Sequence, residues 1–204
     1  MKRIELVRLL GRVPAFPHPD PALEQVVTPI GAAVELLFEA LDRGDLAGSN
    51  VTDLGSGTGR LAIGAALLGA KTVCGIEIAP EAVALARQAA ADLGVEVAFQ
   101  VGDVGRSPMA EGTIVMNPPF GAQTRGADRV FWDCALARAG RAVYAFSLSD
   151  SRTFIEGRAV ARGARIEATR PIRWELPATF AHHRHKAVTL PVDLWVLRTG
   201  KATA

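Results

Sequence analysis

The sequence predicts an α/β fold in which a mostly parallel sheet carries helices on both faces. Two observations predict it. Short apolar runs alternate with longer segments whose apolar residues recur at helical spacing, as in strands joined by helical crossovers. The last two predicted strands have no helix between them, so they should form an antiparallel hairpin at one edge of the sheet.

Each element is bounded by residues that begin or end it. Five prolines between residues 14 and 29 make that stretch irregular, so it should wrap over the domain before a first long helix at 29–42. Gly44 and Gly48 separate this helix from the first strand. The later helices are predicted at 61–68, 80–93, 128–139 and 151–162. The strands are predicted at 51–54, 72–76, 95–101, 113–116, 142–146, 165–171 and 188–197. We predict one domain over residues 1–204, in which residues 1–48 form an N-terminal arm and helix.

Composition limits the class of protein. With 204 residues, 49% of them hydrophobic, the chain can build one sizeable core. A net charge of +2 and a pI near 8.8 do not identify a nucleic-acid partner, since the many arginines fit either phosphate binding or a coding bias. Cys74 and Cys134 form no Cys-x-x-Cys pair, so neither a zinc site nor a disulfide framework is expected. Charges interrupt residues 1–13, which argues against a signal peptide or membrane span and favours a cytoplasmic protein.

A glycine-rich turn follows the first strand, with the sequence Asp53-Leu54-Gly55-Ser56-Gly57-Thr58-Gly59-Arg60. Its glycines allow a tight turn and close approach of a ligand, and the next helix offers free N–H groups to an anion. Glu77 ends the next strand about 20 residues later, where an acid accepts ribose hydroxyls in nucleoside sites. Taken alone, the turn could be a plain tight loop. The acid and the motif downstream favour a nucleoside site.

The strand at 113–116 ends abruptly at Asn117-Pro118-Pro119-Phe120. Proline fixes φ and lacks the N–H that a sheet ladder needs, so two prolines should form a stiff corner. That corner presents a side-chain amide and bare carbonyls, with an aromatic ring behind them. The amide and a carbonyl can accept from a planar –NH2 group, and Phe120 can stack on the ring that carries it. The motif therefore predicts a site for a flat, amino-substituted ring.

With the glycine-rich turn and this corner, the chain resembles class I S-adenosylmethionine (SAM)-dependent methyltransferases that act on amino groups. It is most similar to the methyltransferase-like family that makes N6-methyladenosine in small-subunit ribosomal RNA. The resemblance implies a Rossmann-like, seven-stranded, mostly parallel sheet with an antiparallel C-terminal strand. The stretches that carry it are residues 23–25 with Thr28, 53–59, 117–121, and 175–178 through 185–186. Val26 stands where members usually have an aromatic residue, and Glu77 where aspartate is common.

The resemblance implies SAM as the cofactor and assigns roles to residues of this chain. The implied cofactor-binding residues are Gln25, Thr28, Gly55, Gly57, Thr58, Arg60, Glu77, Asp103 and Asn117. Glu77 would hold the ribose hydroxyls, and Asp103 would accept from the adenine amino group. Gln25 and Thr28 would close the pocket from the N-terminal arm. A turn residue is the alternative for Asp103, and a helix cap with a solvated neighbour is the alternative for Gln25 and Thr28.

The implied catalytic residues are Asn117, Pro118 and Phe120. Asn117 and the Pro118 carbonyl would accept from the target amine and relieve the positive charge that develops on it, while Phe120 stacks on a base that has left its helix or loop. No strong base is required for this chemistry.

Basic residues near the corner and in a late loop, which we predict at residues 182–186, are candidates for binding RNA phosphates. They are Arg125, Arg129, His183, Arg184 and Lys186. The histidines of the late loop have no helical i, i+4 spacing and no nearby Cys or acid, so a metal site is not expected, and a merely solvated loop is the alternative.

The sequence therefore favours an RNA adenine-N6 methyltransferase acting on ribosomal RNA. Two rivals of the same class remain, a DNA adenine-N6 methyltransferase and a protein glutamine-N5 methyltransferase, because both substrates present a planar –NH2 group. A non-catalytic RNA-binding subunit with the same fold is a rival of another class. The resemblance also raises a small zinc-binding activator protein as a partner.

Overall fold

The computed structural model describes residues 1–121, 126–176 and 188–199, and these contain seven strands in one sheet. The strands are β1 (Asn50–Leu54), β2 (Thr72–Glu77), β3 (Ala98–Val101), β4 (Thr113–Met116), β5 (Ala142–Leu148), β6 (Arg165–Leu176) and β7 (Val188–Arg198). Their spatial order is β3-β2-β1-β4-β5-β7-β6. β1 to β5 pair in parallel, whereas β7 pairs antiparallel with both β5 and β6. The predicted fold class and edge hairpin are confirmed.

Six α-helices surround this sheet in the described part of the chain. They are α1 (Arg3–Leu10), α2 (Ile30–Asp42), α3 (Arg60–Leu67), α4 (Pro80–Asp92), α5 (Asp128–Arg138) and α6 (Arg152–Ala161). α1 to α4 share one hydrophobic cluster with one face of the sheet, and α5 and α6 share a second cluster with the other face. Within the described residues, no helix combines the length and apolar character that a membrane crossing would need.

Side chains along a strand point alternately to the two faces of the sheet, so neighbouring residues belong to different hydrophobic clusters. In β4, Val115 belongs to the cluster with α1 to α4, while its neighbour Ile114 belongs to the cluster with α5 and α6. Tyr144 and Val143 of β5 divide in the same way. Near-continuous burial along β4 and β5 is typical of parallel strands covered on both sides.

Strand register brings the sequence motifs to one edge of the sheet. Leu54, the last residue of β1, pairs with Ile76 of β2 on one side and with Met116 of β4 on the other. Gly55, Glu77 and Asn117 follow these three residues directly. The sheet therefore gathers the glycine-rich turn, the acid and the corner at the carboxyl ends of neighbouring strands.

One helix was not predicted, and the bounds of two strands differ from their prediction for a physical reason. Residues 3–10 form α1, which no prediction covered, and its Leu6 and Leu10 are fully buried at helical spacing. β3 begins at Ala98 and not at residue 95, because the Val95 amide donates to Ala90 O in the turn that ends α4. β6 continues past Pro171, which an edge strand tolerates because one side of its ladder needs no donor.

A buried carboxylate holds the opposite end of the sheet together. Asp45 is fully buried and accepts from Tyr144 Oη at 2.6 Å, Arg198 Nη1 at 2.8 Å and Arg141 Nε at 2.5 Å. Burial opposes its charge, but these hydrogen bonds outweigh burial and lower the pKa of Asp45. The backbone carbonyl of Asp45 also accepts from Thr113 at the start of β4. Asp45 thus joins the amino ends of β4 and β5 to the carboxyl end of β7.

Candidate active site

A cleft of about 330 Å³ lies at the carboxyl ends of β1, β2 and β4. The strand order reverses direction between β1 and β4, and open parallel sheets bind ligands at such switch points. The N-terminal arm, which we define as residues 13–28, forms one wall of the cleft. The residues that line the cleft include Gln25, Thr28, Gly55, Gly57, Thr58, Arg60, Glu77, Asp103 and Asn117. All the cofactor-binding residues expected from the sequence therefore line the same cleft.

The glycine-rich turn needs its glycines for two structural reasons. Gly55 and Gly57 have φ of +69° and +53°, a region that other residues seldom adopt. A Cβ at Gly55 would lie 2.8 Å from a ring carbon of Phe131, and one at Gly57 would lie 3.0 Å from a ring carbon of Phe16. Both aromatic rings line the cleft, so the glycines allow the cleft walls to approach the turn closely.

Glu77 is largely buried and organises the backbone around it. Its Oε2 accepts from the Gly57 amide at 2.9 Å, and its Oε1 accepts from the Ala79 amide at 3.0 Å. Each carboxylate oxygen has a second lone pair that remains for a ligand hydroxyl. Glu77 therefore fixes the turn as well as offering the acceptors that the sequence predicted.

Asp53 is a cleft residue that the sequence analysis placed in the motif but gave no role. It is fully buried at the end of β1, and its Oδ2 accepts from the Ala62 amide at 3.0 Å. Its Oδ1 has no hydrogen-bond partner among the described residues. Burial raises the pKa of Asp53 to about 7, and the nearby charge of Glu77 adds to the rise. An unpaired buried carboxylate oxygen is a strong acceptor for a cationic ligand group.

Thr58 and Arg60 tie the N-terminal arm to the turn. Thr58 Oγ1 donates to Pro14 O at 2.7 Å. Arg60 donates to Val13 O at 3.1 Å and to Thr28 O at 2.6 Å, so one guanidinium holds both ends of the arm.

Arg60 is also a half-buried cation that can still donate a hydrogen bond. Its Nε has no hydrogen-bond partner, and no ion pair joins it to a described carboxylate. Desolvation lowers its pKa to about 10, so it stays charged at neutral pH. The arrangement suits an anionic ligand group.

The arm residues Gln25 and Thr28 both lie in the cleft wall. Gln25 Oε1 accepts from the Asp20 amide at 2.9 Å, which closes the arm on itself. Thr28 is buried, and α2 begins after Pro29 with no side-chain cap. The helix-cap alternative is therefore wrong for Thr28, whereas Gln25 does accept from Asp20, the residue that begins a 3-10 turn at Pro21–Leu23. Contact of either residue with a cofactor stays a prediction.

The corner adds to the cleft lining an asparagine whose amide oxygen is unsatisfied. Asn117 Nδ2 lies 3.5 Å from Val26 O on the arm, a long donor–acceptor distance, and Asn117 Oδ1 is buried without a partner among the described residues. Pro118 is buried behind it, and Pro119 lines the cleft.

Phe120 faces a different environment from the one expected for a stacking platform. Its ring lies 5.5 Å from that of Trp174, at a tilt of 58°, and borders a small depression beside the cleft that also contains Phe146 and Ser147. Trp174 belongs to the part of β6 beyond its predicted end. The ring of Phe120 is half-buried, so stacking on a base stays a prediction.

Asp103 and several apolar side chains form the far end of the cleft. The Asp103 side chain is 48% exposed, and its Oδ1 accepts from the Gly105 amide at 2.8 Å, which is also what its turn alternative requires. Ile78, Val104 and Val130 line the cleft nearby. An exposed acid beside apolar side chains suits a flat ring that carries a hydrogen-bond donor.

Of the residues predicted to bind RNA phosphates, the structure describes Arg129 alone. Arg129 is exposed on α5, with its guanidinium 5.6 Å from the ring centre of Phe154. Arg125, His183, Arg184 and Lys186 lie outside the described residues, so their roles stay predictions.

Comparisons with known proteins agree with this cleft. A methyltransferase-domain family model matches residues 45–147. An rRNA N(6)-adenosine-methyltransferase of Drosophila melanogaster is 32% identical, over 98% of this chain and 99% of its own length. This chain belongs to the same methyltransferase family. An uncharacterized protein of Methanocaldococcus jannaschii is 33% identical over 96% of this chain and 93% of that protein. A solved structure from Pyrococcus horikoshii, provisionally assigned as an RNA methyltransferase, has a TM-score of 0.89 and 34% identity, covering 98% of this chain and 99% of that one.

The protein is thus a SAM-dependent methyltransferase, and its cleft residues fit that cofactor. The buried, unpaired Asp53 Oδ1 and the Arg60 guanidinium match the ammonium and carboxylate of a methionyl group. Glu77 has lone pairs left for a ribose diol, and Asp103 beside the apolar wall suits an adenine. Neither charged group near the turn could be replaced by a neutral one without losing this match.

Proposed function

We propose that this enzyme transfers a methyl group from SAM to the N6 amino group of adenosine in RNA, and that ribosomal RNA is its substrate. The observation that carries the proposal is the buried, unpaired Asn117 Oδ1 at the end of β4, beside a cleft that fits SAM. Support also comes from the near-complete alignment with an rRNA N(6)-adenosine-methyltransferase of another organism.

The chain holds the cofactor through groups at the ends of β1 and β2. Asp53 and Arg60 would bind the two charged ends of the methionyl part, and Glu77 the ribose hydroxyls. Bound SAM supplies an electrophilic methyl group on a sulfonium. The rings of Phe16 and Phe131 lie close against the glycine-rich turn, and apolar side chains beside charged groups strengthen each electrostatic interaction.

Asn117 and Pro118 act on the target amine. The amine lone pair is conjugated with the adenine ring, so the nitrogen is a weak nucleophile. Asn117 Oδ1 and the Pro118 carbonyl would accept its two N–H bonds, which directs the lone pair toward the methyl group and stabilises the positive charge that develops. Rigid placement by two consecutive prolines supplies much of the remaining rate enhancement.

Phe120 and the basic residues would hold the RNA. We propose that the flipped base stacks on the part of the Phe120 ring that Trp174 does not cover. Arg125 and Arg129, together with His183, Arg184 and Lys186 of the late loop, would bind phosphates on either side of the target nucleotide.

A small zinc-binding activator protein is the further partner that the family resemblance raises. The sheet offers a place for one, because β3 lies at an edge and Val101 on it is 51% exposed. Co-expression followed by size-exclusion chromatography tests this association, and a chain that stays monomeric and fully active alone would contradict it.

The test of the function is a substrate panel. Purified enzyme and SAM are offered ribosomal RNA from cells lacking the gene, a DNA duplex that contains adenine, and a glutamine peptide. Mass spectrometry of the digested products should show N6-methyladenosine in the RNA alone, and at least about 10²-fold less of it in the same time with Asn117→Ala. Methylation of the DNA or the peptide, with unmodified RNA, would overturn the proposal in favour of the corresponding rival.

A further inference from the structure

The Glu24 carboxylate spans from the N-terminal arm to the corner. Its Oε2 accepts from the Phe120 amide at 2.8 Å and from the Gly121 amide at 3.0 Å. Pro118 and Pro119 have no N–H, so these are the first two amides after Asn117 that can donate. Two consecutive amides that converge on one anionic oxygen form a strong, directional contact.

The backbone of Glu24 shows that this contact is maintained against a conformational cost. Its φ of 48° and ψ of 42° are left-handed, and it is the one non-glycine residue with positive φ among the described residues. Glycine or asparagine adopts that conformation more easily. A glutamate there carries a conformational cost, which the surrounding structure must offset. The side chain, and not the backbone preference, therefore explains the residue at this position.

Glu24 controls where the next arm residues lie. Gln25 and Val26 follow it directly and line the cleft. Val26 O is the acceptor nearest to the Asn117 side-chain nitrogen, at 3.5 Å. When Nδ2 donates to Val26 O, the orientation of the amide is fixed, and its other end, Oδ1, is buried without a partner among the described residues, as the proposed acceptor for the target amine requires.

We propose that Glu24 is a positioning residue for methyl transfer: by holding the arm against the corner it orients the Asn117 amide toward the target amine. The inference rests on the proposed function for its catalytic consequence. The contact of Glu24 with the corner amides does not depend on the substrate.

The first test measures the contact itself. Hydrogen exchange in a peptide over residues 117–121 reports only on Asn117, Phe120 and Gly121, because both prolines lack an amide. Glu24→Ala should speed exchange in this peptide at least about tenfold, and Glu24→Gln, which keeps an accepting oxygen, should speed it less. Glu96→Ala, at an exposed position away from the cleft, is the matched control and should leave it unchanged. Equal exchange in Glu24→Ala and the wild type would overturn the proposal without any assay of methylation.

The second test separates positioning from a structural role. Glu24→Ala should lower kcat about 10- to 100-fold, as small misplacements of catalytic groups do, with SAM affinity within about threefold and Glu24→Gln recovering most of the rate. In an Asn117→Ala background the same change should have little further effect, because Glu24 acts through Asn117. Additive losses, or a fall in Tm without a fall in kcat, would overturn the inference while leaving the proposed function intact. If the wild-type enzyme cannot methylate adenosine in RNA, the proposed function is wrong. The effect of Glu24→Ala on hydrogen exchange at residues 117–121 would still hold.

Discussion

The raised pKa of Asp53 predicts that SAM affinity depends on pH. Only the charged carboxylate attracts the ammonium group strongly, and with a pKa of about 7 the free enzyme is mostly protonated at this position below neutral pH. Affinity should therefore level off above about pH 8 and weaken about tenfold for each pH unit below 7, or about 1.4 kcal/mol per unit.

The same shift predicts an effect of opposite sign on stability. The folded pKa lies above the ordinary value of 3.8, so protonated Asp53 favours the folded state. That contribution is fully present below about pH 4 and is lost as pH rises through about 7, amounting to about 4 kcal/mol at most. Other carboxylates titrate in the same range, so the quantity to compare is the difference in unfolding free energy between the wild type and Asp53→Asn.

Calorimetric titration with SAM from pH 6 to 8.5 measures the affinity. Asp53→Asn should bind with a flat pH profile, and the wild-type curve should approach it at low pH, where a protonated acid resembles an amide. His18→Gln, a change at an exposed residue of the arm, is the control and should keep the wild-type slope. A wild-type profile that is flat, or a slope that His18→Gln removes, would refute the reasoning.

Four further predictions concern the corner, the ribose acceptor, the opposite end of the sheet and the late loop. Asn117→Ala should lower turnover about 10²–10³-fold with SAM affinity within a few-fold, and a mutant that keeps a tenth of the wild-type rate would contradict its role. Glu77→Ala should weaken SAM binding by roughly 1.5–3 kcal/mol and also lower Tm, since two backbone amides lose their acceptor; unchanged calorimetric affinity would exclude ribose binding. Asp45→Ala should cost about 3–5 kcal/mol in denaturant unfolding and leave the SAM affinity of the folded enzyme unaltered. Removing the charges of Arg184 and Lys186 together should flatten the slope of log RNA affinity against log salt by roughly 1.5–2, whereas an unchanged slope would indicate a merely solvated loop.

Local sequence patterns predicted the architecture and also which residues line the cleft, because strands, turns and strand ends are all set by residues near one another in the sequence. Apolar periodicity located the strands, and strand ends of a parallel sheet necessarily meet at one edge. The predicted start of β3 was wrong, because the Val95 amide donates to Ala90 O in the turn that ends α4 and is not available to the strand. The extension of β6 past Pro171 was missed because sequence alone does not show which strand lies at an edge.

The residues that the sequence could not assign act through contacts between distant segments. Glu24 lies in the stretch 23–25 that carries the family resemblance but received no role of its own, and only the fold brings its carboxylate to amides almost 100 residues away. Asp53 lay within a recognised motif, but its unpaired oxygen and raised pKa follow from burial that no local pattern reports. The position of the Phe120 ring likewise depends on its contact with Trp174, which lies in the part of β6 that was not predicted.

The position of β7 has a consequence for how the protein is made. β7 is the last of the described strands along the chain, yet it lies inside the sheet and pairs with β5 on one side and β6 on the other. A nascent chain that has not yet released residues 188–198 from the ribosome exposes an open edge on β5 and leaves β6 without a neighbour. The sheet can therefore close only after synthesis has passed β7, and polypeptides that stop earlier would present two unpaired edges to chaperones and proteases.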